Sequence, residues 1–309
     1  MQSKSKFLLI YMVVLLGVLT ACGFFDGNQM IDQIPTTAAR QIPILQVEQN
    51  PTLEVKPKSM PTRQIEQVPT VEEKHNLWKL VWRDEFNNHF DKNNWIAEVN
   101  DWGGGNQELQ YYTDRKENVF VKNGLLNIVG RKERYLTRDF TSARLTSTQS
   151  WIYGRFEVRA KLPEGQGIWP SIWLRSAENP YGPWPVSGEI DIMEMLGHEP
   201  TTIYGTLHYG FPLPHGEQKQ ENTSLKDQGF HIFAVEWDMD EIRWYRDGEK
   251  FFTVDSWYSS GGNYPAPFDQ PFNIVLNLAI GGVWPGNPDE STSFPQKLLI
   301  DYVRVYQNQ

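Results

Sequence analysis

Three acidic residues stand close together in the stretch GEIDIMEMLG, residues 188 to 197. Side chains on a β-strand alternate between its two faces, so Glu189 and Asp191 would share one face. Glu194 follows Asp191 by three positions rather than two, and in a regular strand it would point to the opposite side. The spacing therefore predicts an irregularity within the strand.

A one-residue β-bulge near Ile192 or Met193 would return Glu194 to the face of the other two acids. Three carboxylates on one strip cannot all ionise cheaply, because mutual repulsion raises the pKa of at least one of them. A retaining glycosidase uses such a pair, with an ionised carboxylate as nucleophile and a protonated one as general acid and then general base. A cation site built from the same acids, or a solvated strand face, is the alternative.

Tryptophan residues elsewhere in the chain could stack on the flat C–H faces of a sugar. Trp169 and Trp173 are four positions apart in GIWPSIWL, so a regular strand would place both on one face, with core packing as the alternative for each. Trp284 lies in GGVWPG, where the Gly and Pro neighbours are typical of a shaped surface turn. We therefore expect Trp284 to be an exposed sugar platform.

The elements that would position these residues have the pattern of β-strands. Apolar residues alternate or run over short stretches, and no sustained helical stripe is present. Asn123-Gly124 and Asp247-Gly248 each lie between two such runs and predict type I′ hairpins. The strand-like runs are residues 120–128, 151–162, 230–238, 242–254, 272–280 and 298–307. The pattern predicts an all-β sandwich of two antiparallel sheets that leaves one outer face available.

The chain of 309 residues divides into three parts. Residues 1–21 carry lysines ahead of an apolar run that is shorter than the roughly 20 residues of a spanning helix, and they resemble a secretory signal peptide. The run ends in LTAC, which resembles a bacterial lipoprotein processing box with Cys22 as the lipidated residue; an ordinary signal peptide is the alternative. Residues 22–76 are rich in Pro, Gln, Thr and Glu, which predicts a disordered linker. Residues 77–309 are rich in aromatic residues and long enough for one large β domain.

Composition argues against several other classes of protein. The net charge is −9 and no basic patch is evident, so nucleic acid is a poor choice of partner and an uncharged ligand fits better. The chain has a single cysteine, so it can form no intrachain disulfide, although we expect it to be exported. The sequence contains no GxSxG, HExxH, P-loop or dinucleotide-binding signature.

The acidic stretch resembles the active-site strand of glycoside hydrolase family 16, in the longer Glu-x-Asp-x-x-Glu form that is typical of laminarinase-like endo-β-1,3-glucanases. The likeness extends over residues 78–309, with its blocks in the order that the family has. Those blocks are WRDEF (82–86), GNQELQYYT (105–113), TSARLTS (141–147), GIWPSIWLRS (167–176), TLHYG (206–210), FAVEWD (233–238), LNLAIGGVWPG (276–286) and DYVRVYQ (301–307).

The resemblance implies a concanavalin-like jelly-roll β-sandwich with a concave sugar-binding cleft. It implies that Glu189 is the nucleophile and Glu194 the acid/base, while Asp191 hydrogen-bonds or electrostatically tunes the nucleophile. Catalysis of this kind uses no metal or organic cofactor.

Further cleft residues follow from the same resemblance. Asn106 and Arg144 match positions that hydrogen-bond the sugar, with a turn amide and a surface ion pair as the alternatives. His208 matches a residue close to the acid/base carboxylate, and the GIWPSIWL segment matches the cleft near the cleavage point. Glu108 belongs to a cleft-edge block but receives no role.

A structural calcium ion is also implied, far from the cleft. The matching positions are Glu85, the carbonyl of Gly124 and Asp301, and hard oxygen ligands of this kind suit Ca²⁺. Glu85 as a turn cap is the alternative.

We therefore expect an exported hydrolase that cleaves β-1,3-glucan within the chain and retains the anomeric configuration. We expect a monomer that is lipid-anchored at the cell surface or the periplasmic face of a bacterial membrane. Three alternatives stay open. They are the same chemistry on mixed-linkage β-1,3-1,4-glucan or on a galactan, transglycosylation, and a non-hydrolytic glucan-binding surface protein.

Overall fold

The computed structural model describes residues 78–87 and 89–308, which form two β-sheets around one apolar core. The expected signal peptide, the lipidation site at Cys22 and the linker lie outside these residues. Within the described residues, no helix is long and apolar enough to span a membrane.

The first sheet has ten strands, and eight of them follow the order β15-β14-β13-β8-β17-β5-β6-β3. β1 pairs with β17, and β4 pairs with β5. All of its pairs are antiparallel except β3 with β6. The strands are β1 (Trp78–Asp84), β3 (Gln110–Tyr112), β4 (Val119–Lys122), β5 (Leu125–Tyr135), β6 (Arg138–Ser142), β8 (Gly154–Lys161), β13 (His231–Trp237), β14 (Ile242–Arg246), β15 (Glu249–Val254) and β17 (Gln296–Asn308).

The second sheet has seven antiparallel strands in the order β12-β11-β10-β9-β16-β7-β2. Its strands are β2 (Trp95–Ala97), β7 (Arg144–Trp151), β9 (Ile168–Ser176), β10 (Glu189–Met195), β11 (Thr202–Gly210), β12 (Gly216–Ser224) and β16 (Phe272–Ile280). The acidic stretch is β10, near the middle of this sheet. A single short 3₁₀ turn, Gly103–Gly105, accompanies the strands in the described residues.

The core lies between the two sheets and is filled by alternate residues of each strand. On β13, for example, Phe233, Val235 and Trp237 are fully buried against the other sheet. Burying one such large side chain contributes on the order of 1.5–3 kcal/mol, so the packed layer fixes which face of each strand is left for polar residues. The outer face of the seven-stranded sheet is therefore free to carry a site.

These observations confirm the all-β sandwich. The two predicted hairpins are present, because Asn123-Gly124 joins β4 to β5 and Asp247-Gly248 joins β14 to β15 with positive φ at all four residues. The run 151–162 is two strands rather than one. A turn with positive φ at Tyr153 and Gly154 interrupts it after Trp151, and β8 then begins in the other sheet.

Candidate active site

A β-bulge interrupts the acidic strand where the sequence spacing predicts one. Asp191 pairs with Thr206 of β11, and the next pair is Glu194 with Tyr204. Three steps along β10 are therefore matched by two along β11, which is the signature of one extra residue. The register against β9 shifts at the same place.

The bulge brings the three acids to one side of the sheet. Glu189, Asp191 and Glu194 all line a cleft of about 900 Å³ on the outer face of the seven-stranded sheet. The residues between them are apolar and buried in the core: Ile190, Ile192 and Met193. The predicted convergence of the carboxylates is confirmed.

The opposite sheet supports the bulge through a tryptophan. The indole Nε1 of Trp244, on β14, donates a 2.7 Å hydrogen bond to the carbonyl oxygen of Asp191. Gly205 of β11 lies between the two pairing partners of the bulge, and a Cβ there would come within 2.6 Å of the Trp244 ring. Only glycine leaves room for the indole, so the Trp244–Gly205 contact holds the strand at the irregular step.

Burial makes all three carboxyls weaker acids than usual. It is the main cause that raises the pKa of Glu189, of Asp191 and of Glu194, in each case to about 8. The neighbouring charge of Asp191 adds to the rise for both glutamates. The three groups titrate as a coupled set, so the substrate-free cleft retains protons at neutral pH.

His208, on β11 directly opposite Glu189, is the cationic partner available to this trio. Its Nε2 lies 3.2 Å from Asp191 Oδ2 and 3.8 Å from Glu189 Oε1. Among the described residues, however, Asp191 Oδ2 has no hydrogen-bond partner. When protonated, His208 acts to lower the pKa of both glutamates, against the effect of burial.

The predicted tryptophans line the cleft together, but they have different contacts. Trp169 is almost buried, and its Nε1 donates to Glu194 Oε1 over 3.1 Å. Trp284 is half-buried and packs edge-to-face on Trp169 with ring centroids 5.4 Å apart. Trp173 donates to Asn277 Oδ1 over 2.7 Å and leaves part of its ring open to the cleft. Trp169 therefore holds the acid, whereas Trp173 and Trp284 present ring surface.

Arg144 and Asn106 also line the cleft, as predicted. Arg144 is buried rather than a surface ion pair, and it lies 3.8 Å from both Glu98 and Glu108. Glu108 is itself buried and accepts hydrogen bonds from Gln110 and Tyr112. The sequence assigned no role to Glu108, and the structure gives it one, because it holds the Arg144 guanidinium at one side of the cleft.

Two cleft tryptophans were missed by sequence reasoning. Trp102 and Trp184 line the cleft with 60% and 45% of their surface exposed, which makes them the most open aromatic rings in it. Trp184 lies 5.5 Å from the His208 ring, measured between centroids. Both stand beside Gly or Pro, in WGGG and GPWP, and this is the signal that singled out Trp284.

The residues of the predicted calcium site lie around one part of the ten-stranded sheet. Asp301 is on β17. On one side of it β17 pairs with β1, which ends next to Glu85, and on the other side it pairs with β5, which begins next to Gly124. Both oxygens of Glu85 accept from Arg304, however, and Asp301 accepts from Arg159. In this arrangement the two carboxylates are directed at arginines rather than at a common point.

A cleft on one sheet of a β-sandwich, lined by neighbouring carboxylates and open tryptophan rings, defines a glycoside hydrolase that acts on a polysaccharide chain. Comparison with known proteins gives the particular group. The family described as Glycosyl hydrolases family 16 matches residues 106–304, and the chain belongs to that family.

Relatives within the family are similar over most of the described part of the chain. A Beta-glucanase of Rhodothermus marinus is 43% identical over 76% of this chain and 87% of its own length. The Glucan endo-1,3-beta-glucosidase A1 of Niallia circulans is 37% identical over 74% of this chain, which spans only 38% of that protein. The X-ray structure of the laminarinase from Rhodothermus marinus has a TM-score of 0.71 at 41% identity, covering 75% of this chain and 98% of the other.

Proposed function

We propose that this protein hydrolyses β-1,3-glucan within the chain by double displacement, with retention of the anomeric configuration. The observation that carries the proposal is the bulge in β10, which places Glu189, Asp191 and Glu194 on the same side of the sheet in one cleft. A retaining mechanism requires two carboxyl groups that lie about 5–5.5 Å apart and flank the scissile bond, and neighbouring positions on one face of a strand can supply them.

In the first step, Glu194 gives its proton to the glycosidic oxygen while Glu189 attacks the anomeric carbon. Burial keeps a proton on Glu194 by raising its pKa, and the Trp169 N–H occupies one of its two oxygens. His208 and Arg144, which both line the cleft, act to lower the pKa of Glu189 against the effect of burial. The bond to the leaving sugar breaks, and a covalent glycosyl-enzyme forms.

In the second step, Glu194 has lost its proton and acts as a base. It takes a proton from a water molecule, whose oxygen attacks the anomeric carbon and releases Glu189. Asp191 lies between the two glutamates on the strand and keeps an oxygen free of hydrogen bonds, so it can share a proton with the nucleophile as the charge on Glu189 changes. The chemistry uses carboxylates and water and needs no cofactor.

The choice of β-1,3-glucan rests on relatives and on the cleft. The Niallia circulans relative is a Glucan endo-1,3-beta-glucosidase, and the solved Rhodothermus marinus structure is that of a laminarinase. Five tryptophans line the cleft, and their rings suit the C–H faces of successive sugars in a neutral polymer. These features favour internal cleavage.

A substrate panel tests the proposal. We expect reducing ends to appear rapidly from laminarin, with oligosaccharides of mixed length as early products. Proton NMR of the first product should show the β-anomer before mutarotation. An α-anomer as the first product would exclude the double displacement. Activity on agarose without activity on laminarin would show that the substrate is a galactan and not β-1,3-glucan.

The same products separate the remaining alternatives. Release of oligosaccharides from barley β-1,3-1,4-glucan at a rate equal to that from laminarin would indicate a mixed-linkage enzyme. Products longer than the starting oligosaccharide would indicate transglycosylation. Saturable binding of laminarin with no product at all would indicate a glucan-binding protein.

We also propose that the protein is exported and held at a bacterial membrane through a lipid on Cys22, and that it works as a monomer. The support is the sequence alone: LTAC follows directly after the apolar run, and it contains the one cysteine of the chain. Cys22→Ser should move the protein from the membrane fraction to the soluble fraction. Light scattering of the purified protein should give the mass of one chain.

Calcium at Glu85, Gly124 and Asp301 stays a prediction. Its support is the placement of the three positions around the same part of β17, and an ion would require Glu85 to leave Arg304. Calcium should then raise the melting temperature of the wild type and have no effect on Glu85→Gln. Equal melting temperatures of the wild type in calcium and in EDTA would show that no calcium ion binds at this site.

A further inference from the structure

The cleft contains one group of side chains with the composition of a transition-metal site. Glu189, Asp191 and His208 each offer one ligand atom, and these three atoms lie within 4.8 Å of one another. Two carboxylate oxygens and an imidazole nitrogen are ligands that zinc accepts. Within the described residues, no other group of three His, Cys, Asp or Glu side chains comes together in this way.

The two ligand-atom distances from His208 suit a small tetrahedral ion. Zinc lies about 2.0–2.1 Å from nitrogen and oxygen ligands, so the ligand atoms of a tetrahedron are about 3.3–3.4 Å apart. The His208 Nε2 is 3.2 Å from Asp191 Oδ2 and 3.8 Å from Glu189 Oε1, values that bracket this distance. Calcium prefers six to eight oxygen ligands at longer distances, so it suits this trio poorly.

Asp191 supplies the second observation. Its side chain is only 4% exposed, and its Oδ2 has no hydrogen-bond partner among the described residues. An unsatisfied buried oxygen costs on the order of 1–3 kcal/mol, which a bound cation would recover. This oxygen lies 3.2 Å from His208 Nε2, closer than Glu189 Oε1 does, so the unpaired group faces into the trio rather than away from it.

We propose that Glu189, Asp191 and His208 bind a divalent transition-metal ion of the zinc type in the substrate-free cleft, and that the ion inhibits the enzyme. Three side chains leave the fourth position of a tetrahedral ion open, and Glu189 and His208 are both exposed to the cleft, so that position lies where the sugar would bind. The binding of the ion rests on geometry alone. Only the inhibition rests on the proposed function, because it follows from occupying Glu189.

Titration of the purified protein with zinc chloride, followed by calorimetry, tests the binding. We expect one zinc ion per chain in the wild type, and the same in Glu194→Gln, since Glu194 is not among the ligands. Asp191→Asn and His208→Asn should each weaken binding by at least about tenfold. His198→Asn is the matched control, because His198 Nε2 also lies 3.8 Å from a carboxylate but outside the cleft, and it should leave binding unchanged.

Cobalt(II) gives a spectroscopic check that does not depend on activity. Four-coordinate cobalt absorbs visible light much more strongly than six-coordinate cobalt, so the wild type should show an intense band that is lost in His208→Asn. A wild type that binds no zinc at millimolar concentration would overturn the proposal. So would binding that is equally strong in Asp191→Asn and His208→Asn, since the ion would then lie elsewhere.

Competition separates this inference from the proposed function. Laminarin oligosaccharide added to Glu194→Gln should raise the apparent dissociation constant for zinc, and zinc should inhibit laminarin hydrolysis by the wild type competitively. Hydrolysis that is unaffected at saturating zinc would refute the inhibition. If zinc binds as described but no glucan is cleaved, the metal site stands and the proposed function fails.

Discussion

Buried acidic side chains lie on the outer faces of both sheets. Those of the ten-stranded sheet are paired with arginines, whereas those on the acidic strand of the seven-stranded sheet have no such partner among the described residues. On β10 of the seven-stranded sheet, the trio Glu189, Asp191 and Glu194 has no arginine or lysine within ion-pairing distance in the described part of the chain. On the ten-stranded sheet, Glu157 and Glu236 are also largely buried, yet Arg155 binds both of them.

The ten-stranded sheet carries a complete ion-pair network. Glu236 accepts from Arg155 over 3.0 Å, from Arg243 over 3.2 Å and from the hydroxyl of Tyr245 over 2.8 Å. These side chains alternate along their strands with core residues, so they cover the face that points away from the core. Every oxygen of Glu236 has a donor.

The pKa values of carboxyls on the two sheets move in opposite directions. Arg304 of the ten-stranded sheet, through its hydrogen bonds, holds the pKa of Glu85, which directly follows β1, below its usual value. Burial raises the pKa of Glu189 on the seven-stranded sheet to about 8. A paired acid contributes to folding, whereas an unpaired one opposes folding and is retained where chemistry needs it.

The strongest test of this contrast removes one acid from each sheet. Glu189→Gln should lower kcat on laminarin by at least about 1,000-fold, because an amide cannot form the glycosyl-enzyme. The melting temperature should not fall, since Glu189 is a largely buried acid with no arginine or lysine within ion-pairing distance among the described residues. A variant that keeps a tenth of the wild-type rate would show that Glu189 is not the nucleophile.

Glu236→Gln should produce the reverse result. The substitution leaves Arg155 and Arg243 without one negative partner in a nearly buried network, which costs about 3 kcal/mol. For a domain of this size that corresponds to a melting temperature lower by roughly 6–12 °C. Measured well below that temperature, kcat should equal that of the wild type.

A surface pair provides the control for that effect. Glu199 lies 3.8 Å from His198 with 48% of its side chain exposed, so Glu199→Gln should change the free energy of unfolding by less than about 0.5 kcal/mol. An equal loss of stability in Glu199→Gln and Glu236→Gln would mean that the network is no more than a set of surface charges.

The next test concerns the link between the sheets. Trp244→Phe removes the hydrogen bond to the carbonyl of Asp191 and should cost about 1–3 kcal/mol of stability, because a buried acceptor is left unpaired. It should also lower kcat by about tenfold with little change in KM, because the bulge that aims Glu194 is no longer fixed.

Trp237→Phe is the matched control for Trp244→Phe. Trp237 is also fully buried, on the neighbouring strand, and its Nε1 donates to the carbonyl of Phe268 away from the bulge. It should lose a similar amount of stability and keep its kcat. If both variants lose kcat equally, Trp244 has only a structural role.

The local features of the fold and site could be predicted from sequence because they depend on near neighbours. The Glu-x-Asp-x-x-Glu spacing by itself reveals the bulge in β10. The Asn-Gly and Asp-Gly pairs at 123–124 and 247–248 likewise reveal the hairpin turns. The contact between Trp244 and Asp191 joins residues 53 positions apart on different sheets, and no local pattern reveals it.

Charge pairing was harder to predict for the same reason. The sequence places Arg144 among the sugar-binding residues but does not show that Glu98 and Glu108 pair with it, and it places Glu85 at a calcium position but does not show that Arg304 lies beside it. Trp102 and Trp184 differ, because their Gly and Pro neighbours were visible in the sequence. Applying the turn argument to every tryptophan would have found them.

The smallest expected effect concerns the pH dependence of stability. Burial raises the pKa of Asp191 to about 8 in the folded state, against about 3.9 for an unfolded chain. Between these values the folded state holds a proton that the unfolded state has released, so Asp191 makes the protein less stable as pH rises through this window. Asp191→Asn removes the effect and should therefore be more stable than the wild type at pH 8, with a higher melting temperature.

Asp247→Asn supplies the comparison of opposite sign. Burial alone would raise the pKa of Asp247, but hydrogen bonds from the Ile232 N–H and from His231 hold it below its usual value. Its contribution is therefore present at neutral pH and lost in acid, so Asp247→Asn should be less stable than the wild type at pH 8. Thermal melts of the three proteins from about pH 5 to 8 should separate the variants, with the advantage of Asp191→Asn growing as pH rises. An advantage that is constant with pH would mean that the unpaired carboxylate of Asp191 is not what opposes folding.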